Sequence, residues 1–351
     1  MTIFVTGGAG FIGSQFIRDW VTQNPGDPVI NFDALTYAGN LENLESIASS
    51  PSYTLVKGDI CDEKAVFEAL PDGCDAVVHF AAESHVDRSI LSAKEFVQTN
   101  VVGTQILLDV ARHRKVGRFL HISTDEVGGS MEPGQWFTEE MPLVPSSPYA
   151  ASKTAAEHMV RAAGHTFGMD VVVTRTSNNY GPYQFPEKLL PLAISNAMQG
   201  APIPVYGDGL QERDWIHVAD NCRALMLVLK KGKPGETYHI GGKNPLPNLE
   251  VLRLLLKIAG QPESLLKHVT DRLGHDRRYA VDCSKIGHEL GWAPEIPFEE
   301  GLRSTVNWYR DNPAWVKNAR SGEYRNYYER MYGHAVGQVP DLPFTVAGSK
   351  T

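Results

Sequence analysis

The sequence has no closely spaced pair of cysteines. Cys61, Cys74, Cys222 and Cys283 stand far apart, which excludes a CxxC metal or redox motif and a disulfide-stapled scaffold. No HxxxH pair and no Cys/His cluster supplies a metal-ligand spacing, so no metal is expected. Apolar runs stop short of the ~18 residues that span a bilayer, so no membrane partner is expected. An excess of positive charge is missing as well: 33 Lys and Arg face 41 Asp and Glu, a formal charge of −8, which argues against binding a nucleic-acid backbone. The chain opens on a strand pattern rather than a basic leader and an apolar core, and the expectation is a cytoplasmic protein with reduced thiols.

What is present is alternation. Short β-branched runs at 2–6, 29–33, 53–57, 75–80, 118–123 and 171–175 are separated by segments such as 11–22, 92–113 and 149–167, whose apolar residues recur every three or four positions. Strands apolar on both faces and linked by crossover helices predict an α/β fold, a doubly wound parallel sheet of the Rossmann type. From about residue 182, "GPYQFPEK", "GAPIPVYGDG" and "GGKNPLPN" break the beat with Pro and Gly. We therefore expect residues 1–181 to bind the cofactor and carry the catalytic groups, and 182–330 to form a smaller C-terminal substrate-binding portion. That boundary is interleaved, since part of 213–242, with "TYHIGG", reads as a strand returning to the first sheet, and 331–351 reads as a tail.

"TGGAGFIGS" follows the first strand and opens a helix. Gly7 suits a tight turn, Gly10 the close approach of a pyrophosphate and Gly13 the packing of helix on strand, with Phe11 and Ile12 in the same loop. Asp33 closes the second strand, where a carboxylate accepts both adenine-ribose hydroxyls and repels a 2′-phosphate, favouring NAD over NADP. "GDI" with Asp59 and Ile60, and "FAAES" with Ala81, Ala82 and Ser84, end later strands on the same edge of the sheet and are candidate cofactor contacts.

In "SPYAASK", Tyr149 and Lys153 share a helix face at i, i+4. A neighbouring ammonium and a positive nicotinamide favour the phenolate, so that Tyr149 can take a hydroxyl proton as hydride leaves, with Thr124 holding that hydroxyl. Just after Thr124 come two acids, Asp125 and Glu126, closing an apolar strand. Mutual repulsion and burial raise one pKa above the other, which gives an acid and a base side by side.

The glycine loop plus "YAASK" resembles the extended short-chain dehydrogenase/reductase superfamily. "LTYAGNLENL", "HFAAESHVDRSI", "STDEV", "SNNYGPYQFPEKLLPL", "YGDGLQERDWIHVAD" and "GHDRRYAVD" resemble its nucleotide-sugar 4,6-dehydratases, from about residue 2 to 315. The resemblance implies C4 oxidation of a nucleotide-activated hexose, dTDP-glucose first, then loss of water across C5 and C6 with Asp125 as acid and Glu126 as base. It implies NAD as cofactor, adding Thr36, Thr99 and Asn178 to its contacts. On the substrate it places Asn179, Lys188, Leu189 and Asn248 beside Ser84 and Thr124. Tyr206 is assigned to stack the base, next to Pro204, and Arg213 to meet the diphosphate, with Arg272, His275 and Tyr279 nearby. It further implies a homodimer through a four-helix bundle of 92–113 and 149–167. A UDP-sugar 4,6-dehydratase, a nucleotide-sugar 4-epimerase, which needs no acidic pair, and a non-catalytic NAD-binding protein stay open.

One position departs from the family pattern. "DEVGG" stands where relatives read "DEVYG", so that Gly128 removes an aromatic volume two residues past Glu126. The expected consequence is either a roomier site or a less firmly held Glu126, and on the second reading Gly128→Tyr raises turnover on a glucose substrate.

Overall fold

A computed structural model describes residues 1–320; the tail expected at 331–351, and the end of the 182–330 portion, lie outside the described residues. The strands are β1 (Ile3–Thr6), β2 (Val29–Asp33), β3 (Tyr53–Lys57), β4 (Ala76–His79), β5 (Arg118–Thr124), β6 (Val171–Thr176), β7 (Asn178–Tyr180), β8 (Ile203–Tyr206), β9 (Glu212–His217), β10 (Thr237–Ile240), β11 (Pro245–Pro247) and β12 (Leu266–Val269). Seven of them form one parallel sheet in the order β10-β6-β5-β4-β1-β2-β3. Alternate residues of each strand bury on opposite faces. Phe4, Phe32, Val77, Phe119 and Val173 pack under one helical layer. Their neighbours Ile3, Val5, Val78, Leu120 and Val172 pack under the other. Each such side chain contributes about 1.5–3 kcal/mol on burial, which explains why these runs are apolar throughout.

The order reverses between β1 and β4, and the crevice at that switch point, outside the carboxyl ends of the strands, is where such sheets bind ligands. β10 pairs with β6 in parallel, Thr237 against Val173, so the strand in "TYHIGG" does return to the sheet. The Pro- and Gly-rich half folds around a separate core in which Tyr180, Trp215, Leu252 and Leu302 meet. It contributes a three-stranded sheet, β11-β9-β7, and a β8–β12 pair that flank the crevice.

The expected helix 92–113 is interrupted. Lys94–Phe96 and Thr104–His113 are α-helical, but Val97–Gly103 winds as a wider π-helix. The widened turn carries Asn100, whose amide accepts from the Glu83 N–H (2.8 Å) and donates to the Glu83 carbonyl (3.0 Å) and Ser152 Oγ (2.8 Å). A π-turn re-aims a residue that a regular helix would misplace. Here it ties the loop after β4 to the helix that bears Tyr149 and Lys153.

Candidate active site

The cofactor end is shaped by glycines. Gly7 has φ +71°, and a Cβ there would sit 2.6 Å from the Ala81 nitrogen. A Cβ on Gly13 would lie 2.4 Å from the Gly7 carbonyl oxygen, so only glycine lets helix Phe11–Gln23 start against the loop. That helix begins at the crevice with Gly10 as its cap, which has no side chain to bond its first N–H groups, an arrangement suited to a pyrophosphate. Asp33 is buried, and its carboxylate accepts from Ala9 N–H and Leu35 N–H, both at 2.8 Å. Each oxygen keeps a second lone pair for a ribose hydroxyl.

Phe11, Ile12, Thr36, Asp59 and Ile60 line the same crevice. So do Ala81, Ala82, Ser84, Thr99 and Asn178. The glycine cradle and the carboxylate at the end of β2 fit a dinucleotide without a 2′-phosphate.

Helix Pro148–Phe167 is set by Ser147, whose Oγ accepts from Ala150 N–H (3.1 Å), and by Pro148 in its first turn. This start points Tyr149 and, one turn later, Lys153 into the crevice. Lys153 Nζ donates to the Ile122 carbonyl (2.8 Å), and burial brings its pKa down to about 8. The sequence expectation that the ammonium would favour the phenolate is not met by the protein alone. Burial pushes the Tyr149 phenol up and the charge of Glu126 adds to it, with only a hydrogen bond to Thr124 opposing them. The nicotinamide charge supplied by bound NAD is the remaining contribution in the downward direction.

β5 ends in Thr124, which caps a single 3-10 turn, Asp125–Gly128. Its Oγ1 accepts from the Glu126 N–H and donates to Asp125 Oδ1, both at 3.2 Å. The two carboxyls are treated differently. Burial raises Asp125 well above the usual carboxylate range, and both Glu126 and Asp214 raise it further. Burial also raises Glu126, but Arg272, Lys188 and Arg213 hold it down. Asp125 is therefore the more readily protonated of the two and Glu126 the more readily ionised. Asp125 Oδ2 has no hydrogen-bond partner among the described residues, and Asp125 lines the crevice.

Gly128 does not open that crevice. It is buried, and a Cβ on it would sit 2.6 Å from the ring of Phe137. Phe137 packs against His239 with ring centroids 4.8 Å apart. The space beside Gly128 is filled by Phe137 within the core, which corrects the expectation of a roomier site. It also gives Gly128→Tyr an expected cost in stability. That substitution overpacks the core at a cost of about 1–3 kcal/mol, and thermal denaturation should show a lower Tm. An unchanged or raised Tm would mean that Phe137 yields freely.

At the nucleotide end, Asn179, Lys188, Leu189 and Pro204 line the crevice, as do Asn248 and His275. Asn179 Nδ2 donates to Thr176 Oγ1 and the Ser177 carbonyl, both at 2.9 Å, and Lys188 Nζ donates to the Ser84 carbonyl (2.6 Å). His275 is held by Asp271 at 2.6 Å, and burial beside the cationic Arg272 brings its pKa down to about 4, leaving it neutral.

Arg213 does not turn to Asp214 or Asp220. Its guanidinium donates to the Glu212 (2.7 Å) and Asp276 (2.9 Å) carbonyls and lies 4.2 Å from the centre of the Tyr279 ring. Tyr279, expected on the substrate, is not part of the crevice wall and supports Arg213 from behind. Among the further wall residues not singled out from sequence, four are ionisable: Glu83, His85, Asp87 and Glu187. Glu187 accepts from the Tyr37 hydroxyl (3.3 Å), 150 residues away, and no local pattern signals such a contact.

Comparison with known proteins gives the same picture. Residues 4–305 match the family model described as GDP-mannose 4,6 dehydratase. The dTDP-glucose 4,6-dehydratase of Streptomyces niveus is 52% identical over 325 residues, 92% of this chain and 96% of that one. A solved dTDP-glucose 4,6-dehydratase from Streptomyces venezuelae, with NAD bound, is 50% identical with a TM-score of 0.89, covering 91% of this chain and 100% of its own. The UDP-glucose 4-epimerase of Thermus thermophilus, solved with NAD, shares the fold at 30% identity, with a TM-score of 0.82 over 89% of this chain and 100% of its own. The Asp125–Glu126 pair just after β5, in one crevice with Tyr149 and Lys153, and half-identity across nearly the whole chain agree: this chain belongs to the dTDP-glucose 4,6-dehydratases.

Proposed function

We propose that this chain converts dTDP-glucose to dTDP-4-keto-6-deoxyglucose and water, with NAD held through the cycle. NAD, when bound, accepts the C4 hydride and returns it at C6. Tyr149 takes the C4 hydroxyl proton, with Lys153 as the nearby cation and Thr124 orienting the hydroxyl. A C4 ketone acidifies the C5 proton, which Glu126 removes while Asp125 protonates the departing C6 hydroxyl. Glu126 then gives the proton back to C5. The carrying observation is the adjacent acidic pair, unequally raised, in one crevice with Tyr149.

Binding energy comes from the nucleotide handle, gripped by the portion after residue 181, while the first portion performs the chemistry. C4-deuterated dTDP-glucose should yield product with deuterium at C6, whereas an epimerase returns it to C4. If none of dTDP-, UDP-, GDP- and CDP-glucose turns over, the reading is wrong.

We also infer a cytoplasmic homodimer. Val97 is 50% exposed, Val102 39% and Phe167 52%, on the two helical segments expected to form the bundle. Sedimentation should give a dimer, and Val97→Glu with Val102→Glu should shift it toward monomer. A wild-type monomer at micromolar concentration would refute this.

A further inference from the structure

Asp87 belongs to the cofactor-binding portion, in the short helix Val86–Leu91, yet its contacts reach the other side of the crevice. Its Oδ2 accepts from the Tyr206 hydroxyl at 3.0 Å, and its Oδ1 from Arg272 Nη1 at 3.4 Å. Tyr206 ends β8, and Arg272 follows β12, the parallel partner of β8 that sets Val269 against Tyr206. One buried carboxylate thus spans 119 and 185 residues of sequence to hold both side chains. Arg272 Nε is buried and has no partner among the described residues, although the guanidinium lines the crevice. One edge of the guanidinium is anchored and another is left to meet an anion.

We propose that Asp87 is a positioning residue for the nucleotide handle, its two oxygens holding the Tyr206 ring for the base and the Arg272 guanidinium for the diphosphate. This rests on the proposed function, which assigns the substrate to this end of the crevice. Asp87 touches no reacting atom. A charge-assisted bond fixes direction as well as distance, and a guanidinium presented in one orientation gives up less freedom when it meets phosphate. Without Asp87, Arg272 is also drawn toward the other negative charge that acts on it, the base Glu126.

The test uses the holoenzyme with dTDP-glucose turnover and calorimetric titration of dTDP. Asp87→Ala is expected to raise KM and the dTDP Kd about tenfold, the scale of one lost charged hydrogen bond, with kcat within about threefold of wild type. Asp87→Asn keeps an acceptor for Tyr206 but loses the charge that holds Arg272, and should recover about half of that loss on a logarithmic scale. Should Asp87→Ala not fold with its NAD, Asp87→Asn carries the test alone, with a rise of about threefold in both constants expected and wild-type constants overturning the proposal.

Unchanged KM and Kd in a folded Asp87→Ala enzyme overturn the proposal while leaving the function intact. Tighter dTDP binding also overturns it, since Asp87 would then compete with the diphosphate rather than orient Arg272. A wild-type enzyme that neither turns over dTDP-glucose nor binds dTDP overturns the functional reading, and this proposal with it.

Discussion

Given dTDP-glucose, Tyr149→Phe enzyme should lose C4 oxidation by about 10²–10⁴-fold, read as the single-turnover absorbance of reduced cofactor. Burial and the Glu126 charge both oppose a phenolate at this position, so the wild-type enzyme needs compensating positive charge close by. Bound NAD would supply it; Lys153, one turn further along the helix, is mostly charged at neutral pH with its pKa of about 8, but it is not among the groups that lower the Tyr149 phenol in the protein alone. Phenylalanine preserves the ring packing against Phe96, at a centroid distance of 6.3 Å, so stability should change little while the proton acceptor disappears. Lys153→Met should show an intermediate loss, since it removes the cation one helical turn from Tyr149 while leaving the phenol, its Thr124 hydrogen bond and the NAD charge in place. Oxidation by Tyr149→Phe within about tenfold of wild type would assign the proton transfer to another group.

Legibility followed the physics of burial. β1, β2, β4, β5 and β6 are apolar on both faces, so their sequence runs almost coincide with their spans. The glycine loop was readable because each glycine answers a close approach, as at Gly7 and Gly13. The second half was not. β11 is Pro-Leu-Pro and β12 is Leu-Lys-His-Val, neither of which alternates, and both exist because β9 and β8 pair with them from far away in sequence. The same limit applied to the site. Tyr149, Lys153, Asp125 and Glu126 carry their chemistry within short motifs, whereas Asp87 and Glu187, though they lie in quoted motifs too, act on residues more than a hundred positions away. Gly128 was visible as a departure, but its meaning depended on Phe137, nine residues later, whose ring occupies the neighbouring space.

Replacing either acid should stop the reaction at different points, and this separates their roles. Glu126→Gln should still oxidise C4 but lose exchange of the C5 proton with deuterated solvent, with turnover down about 10²–10⁴-fold. Asp125→Asn should keep C5 exchange yet fail to release the C6 hydroxyl, with a comparable loss of product. C5 exchange surviving in Glu126→Gln, or product formation surviving in Asp125→Asn, would reverse or remove the assignment.

The pH dependence follows from the same pair. Elimination requires Glu126 ionised, so its rate rises as pH climbs past the Glu126 pKa, and requires Asp125 protonated, so it falls as pH passes the Asp125 pKa. Both are raised by burial, which sets the active window above the ordinary carboxylate range. Arg272 lowers Glu126, so Arg272→Gln should move the rising limb to higher pH. Asp214 raises Asp125, and Asp214→Asn should move the falling limb to lower pH. The two shifts close the window from opposite sides. If Arg272→Gln or Asp214→Asn moved both limbs together, the carboxyls would titrate as one coupled unit rather than as a separate acid and base.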